Sequence, residues 1–206
     1  ALTDDEFYQI LKEIKNQGMK TMVTPFDEQS VKKIVDMNVD IIKIGSPSLY
    51  DFSLMEEVSK TRKPIVISSG GCDISHIDKL VSFFDNRFNT YALMHCVSIY
   101  PTPKDKLQLN TITTFKNRYR HLMIGFSTHE EPDNIDAIKI ATSLGAELFE
   151  KHVGHETDKY TLNKYSTNME QTERWIQSHL GSKKMIGENI YRMPYEKEVA
   201  DLKILN

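Results

Sequence analysis

Cysteine is scarce in this chain: Cys72 and Cys96 are the only two among 206 residues. Two thiols make no disulfide scaffold, and they fit reduced groups in a cytoplasmic protein. Neither sign of charge is in large excess, with 26 Lys and Arg against 29 Asp and Glu and a formal charge of −3. That balance speaks against a nucleic-acid partner and against a basic membrane-surface protein. No apolar run approaches the ~20 residues of a membrane span, and no signal peptide precedes the first helix pattern. A Walker loop and a dinucleotide fingerprint are both missing, which argues against a nucleotide. A starting methionine is missing too. The chain begins at Ala1, already inside a helix signal, as a cut fragment would.

What the chain does contain is a regular alternation. Thr3 and Glu6 have capping-box spacing ahead of Phe7, Ile10, Leu11 and Ile14 at helical period. Short apolar runs then read as strands at Lys20–Thr24, Ile41–Gly45, Pro64–Ser68, Thr90–His95, Leu122–His129 and Ala146–His152. Between them lie helix patterns with Val31, Ile34 and Val35 inward, a helix capped by Ser53 and Glu56, and others marked by Ile77, Leu80, Val81 and Phe84, by Ile112 and Phe115, and by Ile135 and Ile138. A last helix is expected from a second capping box, Thr167 and Glu170, with apolar Trp175, Ile176 and Leu180. Six strands alternating with helices mean a parallel α/β sheet. Period alone does not choose between an open doubly wound sheet and a barrel. A (β/α)8 TIM-type barrel needs eight strands, so six βα units would leave it open by two.

The strand ends favour the barrel, because nearly every one carries a polar residue: Thr24, Ser46, Ser68, His95, Ser127 and His152. An open sheet gathers its site at one switch point instead. Lys43 adds a cation, and Gly45, Gly70 and Gly71 let backbone N–H groups approach an anion. With Ser69 and Ser98, this set suits a small phosphate or carboxylate; the alternative is that each residue simply makes a turn. His129 and His152 close adjacent strands and form either a divalent-metal site or two hydrogen-bonded rim residues. His95 and Cys96 are weaker ligand candidates, and His155 falls in a loop. Tyr100 either lines a sugar pocket or packs under its loop.

Several segments together resemble the sialic acid synthase family. They are Val23-Thr24-Pro25-Phe26-Asp27, Lys43-Ile44-Gly45-Ser46, Ile67-Ser68-Ser69-Gly70, Leu93-Met94-His95-Cys96, Ile99-Tyr100-Pro101-Thr102-Pro103, Gly125-Phe126-Ser127-Thr128-His129 and Glu150-Lys151-His152. The resemblance covers most of residues 1–180. It implies a partial TIM-barrel synthase domain over 1–180 that lacks the first two strands, and a linker over 181–206 toward an absent C-terminal antifreeze-like domain. It also implies condensation of phosphoenolpyruvate with an N-acylated aminohexose, N-acetylmannosamine by default, in a cytoplasmic homodimer. By position His129 and His152 match the Mn2+ or Mg2+ ligands, and Thr24, Lys43, Ser46, Ser68 and Ser127 match the phosphoenolpyruvate contacts. His129, His152 and Lys43 are the expected catalytic residues, with Tyr100, Ser98 and Asn163 on the substrate side. The chain departs from the family pattern at Ser48, where many members have Glu, at Ser98 in place of Asn, and at Asn163 in place of a carboxylate. A legionaminic- or pseudaminic-type precursor, or a non-catalytic sugar-binding role, are therefore the alternatives.

Overall fold

The computed structural model describes residues 2–188 and 191–204. Its sheet has six strands: β1 (Met22–Val23), β2 (Ile41–Ile44), β3 (Ile65–Ser68), β4 (Tyr91–Cys96), β5 (Met123–Thr128) and β6 (Leu148–Lys151). All pairs are parallel and each strand lies beside its predecessor in the chain. A doubly wound sheet would reverse its order at a switch point. This one never does, so its progression is that of a barrel.

One contact shows that the sheet is curled. Lys43 on β2 and Glu150 on β6 form an ion pair at 2.5 Å. In a flat sheet their strands would lie ~19 Å apart, at ~4.8 Å per strand, farther than the two side chains together can span. The sheet is therefore a curled half-barrel of TIM type with Lys43 and Glu150 meeting across its lumen. It does not close: among the described residues β1 pairs only with β2, and β6 only with β5.

Strand alternation sorts the core into two layers. Ile42, Ile44, Ile65, Ile67, Leu93, Ile124 and Phe126 face outward and pack under α1 (Asp4–Asn16), α2 (Glu28–Asp36), α3 (Phe52–Lys60), α4 (Ile74–Asp85), α5 (Asn110–Arg118) and α6 (Asp136–Ser143). Leu54, Val58, Ile77, Leu80, Phe84, Ile112 and Phe115 supply the helical side of that layer. Val66, Ala92 and Met94, with Ile41 and Leu148, form a smaller cluster on the inner face. Gly125 sits on that inner face where a Cβ would come within 2.6 Å of the Leu148 carbonyl oxygen, so β5 and β6 pack closely only because it has no side chain.

The first capping box is present as expected, with Thr3 and Glu6 bonded reciprocally. Other details differ. α3 is capped by Asp51, whose carboxylate accepts from the Leu54 N–H, and Ser53 lies inside the helix. The last capping box is Asn168 with Gln171, one residue beyond the expected pair, at the start of α7 (Met169–Ile186). Thr167 is engaged elsewhere: its N–H and its hydroxyl both donate to the His152 carbonyl, at 2.9 and 3.0 Å. Trp175 is buried, whereas Ile176, Leu180 and Val35 are exposed, because none of them lies on the stripe facing the sheet. α7 runs through residue 180 to Ile186, with Ser182 buried, and α8 (Glu196–Ile204) forms within the segment expected to be a linker. β1 is shorter than expected because Thr21 is tied to Asp40, which accepts from its N–H at 2.8 Å and its hydroxyl at 2.7 Å.

Candidate active site

The same alternation decides which polar residues enter the lumen. Ser127 pairs with Cys96 on one side and Glu150 on the other, and all three face inward. One step further along, Thr128 and Lys151 pair and face outward. The next residues, His129 and His152, face the lumen again, with ring centroids 5.2 Å apart. His95 is one residue out of phase with this set. It lies under the helices, bonded to the Leu107 carbonyl at 2.7 Å and stacked on Phe126 at 5.9 Å. It is a satisfied core histidine.

The two site histidines are held in different ways. His129 is buried, and its Nδ1–H donates to the Val97 carbonyl at 3.3 Å. A carbonyl can only accept, so the tautomer is fixed and Nε2 keeps a free lone pair. Its own carbonyl accepts from the Thr102 N–H at 2.9 Å, which docks the loop after β4 against it. His152 is exposed, and its ring has no hydrogen bond among the described residues. Burial pushes His129 down to about 4, and partial desolvation by its neighbours also lowers His152 despite the opposing charge of Glu150. Both imidazoles are therefore neutral near pH 7, the form that ligates metals. An ion bonded at about 2.1 Å to a nitrogen of each ring would hold the centroids roughly 4.5–5.5 Å apart, so the observed spacing fits. No third His, Cys, Asp or Glu joins them in a metal-ligand cluster among the described residues. Remaining coordination would fall to water or substrate.

Below the histidines lies a polar floor. Ser46 opens the short 3-10 turn after β2, and its hydroxyl accepts from the Gly70 N–H at 3.1 Å. A Cβ at Gly70 would overlap the Ser98 hydroxyl and approach that of Ser46 to 2.6 Å, so only glycine lets the three converge. Ser68, at the end of β3, is buried and its hydroxyl has no partner among the described residues. A buried hydroxyl without a partner is costly, and a bound polar ligand would satisfy it. Thr24 is half-buried at the end of β1, its methyl beside Gly45. Lys43 is buried with its ammonium on both Glu150 oxygens, at 2.8 and 2.5 Å. Burial is the largest influence and raises the Glu150 carboxyl, but the Lys43 charge and the hydrogen bonds from Lys43 and Ser127 together outweigh it, and the net shift is downward. Burial raises the Cys96 thiol, which makes it a poor nucleophile beside this floor.

Aromatic rings wall one side. Tyr100 is half-exposed, its centroid 4.3 Å from that of His129. Tyr165 stands edge-on to His152 at 5.1 Å and touches Tyr100 at 5.2 Å. Asn163 is exposed and joins none of these side chains. Its carboxamide oxygen accepts from the Tyr165 N–H at 3.1 Å, turning the loop that delivers that ring. Ser48 is buried behind the Ser46 turn. The structure thus gathers Thr24, Lys43, Ser46, Ser68, Ser98, Tyr100, Ser127, His129 and His152 at one end of the sheet and leaves Asn163 at its margin. Sequence reasoning missed Glu150 as the partner of Lys43, and Tyr165. The inward phase of Glu150, two residues before His152, was the available signal for the first.

A curled parallel sheet with converging polar groups at the carboxyl ends of its strands defines a (β/α)-barrel protein whose site lies where such barrels place their chemistry. Residues 1–191 match the NeuB family model, and the chain belongs to that family. A Chromobacterium violaceum structure described as a spore coat polysaccharide biosynthesis protein E superposes with a TM-score of 0.95 and 41% identity, covering 100% of this chain and 61% of that one. N-acetylneuraminate-9-phosphate synthase of Drosophila melanogaster is 31% identical over 149 residues, 72% of this chain and 40% of that protein. N,N'-diacetyllegionaminic acid synthase of Legionella pneumophila is 29% identical over 157 residues, 73% of this chain and 43% of that protein. The chain therefore spans less than half the length of these two relatives. No helix among the described residues is long and apolar enough to cross a membrane.

Proposed function

We propose that this chain is part of a cytoplasmic, homodimeric synthase that condenses phosphoenolpyruvate with an N-acylated aminohexose, N-acetylmannosamine in the first instance, releasing phosphate. The observation that carries this reading is the convergence of two neutral, facing imidazoles with a hydroxyl-lined, lysine-bearing floor at the barrel's carboxyl end. In the reaction, C3 of phosphoenolpyruvate attacks the open-chain aldehyde carbon. Water adds at C2, and the resulting tetrahedral centre expels phosphate.

Each residue set has a part. Ser46, Ser68, Ser98 and Ser127 donate hydrogen bonds to phosphate or carboxylate oxygens, with Thr24 and the glycine backbone beside them. Lys43 balances the anion's charge. Its pairing with Glu150 keeps a buried ammonium compensated when no anion is bound. His129 and His152 would hold Mn2+ or Mg2+, whose bound form supplies Lewis-acid polarisation of the aldehyde oxygen. Tyr100 and Tyr165 give the sugar an apolar wall and exclude water from one side.

A second reading within the same chemistry takes a legionaminic- or pseudaminic-type precursor as the sugar. It is favoured by Ser48, Ser98 and Asn163 standing where the sialic acid synthase pattern has other residues. The test is phosphate release from phosphoenolpyruvate by the full-length protein with Mn2+, across a panel of N-acylated and di-N-acylated hexoses. Turnover with one of them is expected. Absence of release with every sugar, while the anion still binds, would leave a non-catalytic sugar-binding role.

A further inference from the structure

Immediately behind the histidine pair, on the helix-facing side of the sheet, Glu130 and Lys151 form an ion pair with side-chain exposures of only 1% and 2%. The Lys151 ammonium donates at 3.1 Å to the Glu130 carboxylate and, also at 3.1 Å, to the Glu130 main-chain carbonyl. The second Glu130 oxygen is buried with no partner among the described residues. None of these atoms reaches the lumen, and the anion floor makes no use of them.

Their place in the chain is what matters. Glu130 follows His129 and Lys151 precedes His152. The two strand ends that carry the imidazoles are thus joined directly behind them, at the last ladder pair, Thr128 with Lys151. The ladder ends with that pair, so past it the spacing of the two imidazoles depends on side chains as well as on the backbone. Burying two charges is costly, and an apolar pair would pack as well. The two directional bonds from one ammonium supply something packing does not: a fixed distance between the main chain after His129 and the end of β6.

We propose that the Glu130–Lys151 pair is a positioning clamp that sets the spacing of the His129 and His152 imidazoles, and so tunes the divalent-cation affinity of that pair. The cation part rests on the proposed function. The spacing part does not.

The test uses the full-length protein with isotopically labelled histidine, which is practical because this chain has seven. Two readouts are taken. In the metal-free protein, a ring-to-ring nuclear Overhauser contact between His129 and His152 reports their spacing. With Mn2+ added, electron paramagnetic resonance reports affinity. The variants are Glu130→Gln, Lys151→Met and the double Glu130→Met with Lys151→Met. The double removes both buried charges and keeps the fold when the singles do not. Ile65→Ala, at the opposite end of the sheet, serves as a destabilised control. Expected is loss of the ring contact and a weakening of Mn2+ binding by roughly tenfold or more in the double variant at near wild-type melting temperature, with Ile65→Ala leaving both unchanged. A double variant that keeps the ring contact, or that regains wild-type Mn2+ affinity along with its stability, overturns the clamp. Loss of both signals in Ile65→Ala does so equally. If the wild type takes up no Mn2+, or His152→Ala takes it up as well, the metal reading fails, and the ring contact still decides the clamp.

Discussion

Replacing Glu150 by Gln tests the electrostatics of the lumen most sharply. The substitution keeps shape and hydrogen-bonding capacity but leaves the Lys43 ammonium, 7% exposed, without its counter-charge. Two unit charges ~4 Å apart interact by about 4 kcal/mol at an effective dielectric near 20. The Glu150 side chain is 31% exposed, and solvent screens part of this, so about 1–3 kcal/mol of lost stability is expected. For a chain of this size each kcal/mol moves the melting temperature by roughly 2–4 °C, which gives a drop of about 4–8 °C for a ~2 kcal/mol loss. The deficit should shrink when anion is added. With Glu150 neutral, Lys43 is free for phosphoenolpyruvate, and affinity should rise roughly tenfold, about 1.4 kcal/mol. Thermal unfolding followed by circular dichroism at pH 7, with and without phosphoenolpyruvate, reads both effects. A variant melting within about 1 °C of wild type, or one that gains no more from the anion than wild type does, would refute the idea that Glu150 holds the place of the substrate's charge.

Other expectations follow from the same geometry. Lys43→Met should raise the KM for phosphoenolpyruvate far more than that for the sugar; equal losses would remove Lys43 from the anion site. Ser68→Ala deletes a hydroxyl that has no partner among the described residues, so stability should stay within about 0.5 kcal/mol of wild type while anion affinity falls; a large destabilisation in urea would show that the hydroxyl is already satisfied. Gly125→Ala forces a Cβ against the Leu148 carbonyl and should cost about 1–3 kcal/mol by denaturant titration. Acid should weaken the fold through the histidines. His129 is lowered to about 4 and His152 is lowered too, so between about 6.5 and 4 the unfolded chain binds the extra protons. Stability is then fully present above about 6.5 and is lost as pH falls through that window; a urea midpoint that His129→Gln leaves equally acid-sensitive would contradict this. Residues 1–206 expressed alone should self-associate in light scattering, because β1 and β6 each present an unpaired edge.

Much of this architecture was legible because it rests on local signals. Apolar runs of strand length, helical periodicity and the Thr3–Glu6 cap each act within a few residues, and the structure keeps them. The barrel progression was legible from the recurrence of polar residues at strand ends. What escaped was set by tertiary partners. The counter-charge of Lys43 lies 107 residues along the chain, on a strand that meets β2 only because the sheet curls. Thr167 looks like an N-cap in isolation, but its N–H and hydroxyl are taken by His152, which passes the cap to Asn168. Ile176 and Leu180 have helical spacing, yet α7 presents Trp175 to Phe149 and turns them outward. Tyr165 comes from a loop with no periodicity, and its role appears only beside the two imidazoles it flanks.

The central claim is that His129 and His152 hold a divalent cation above the anion floor. The most direct measurement is anomalous diffraction from crystals of the full-length protein soaked with Mn2+ and phosphoenolpyruvate. The expected result is one anomalous peak about 2.1–2.3 Å from a ring nitrogen of each histidine, with phosphoenolpyruvate density against Lys43 and the Ser46, Ser68 and Ser127 hydroxyls. A Mn2+ peak elsewhere, or full occupancy of the same position in the His129→Ala, His152→Ala double variant, would contradict it.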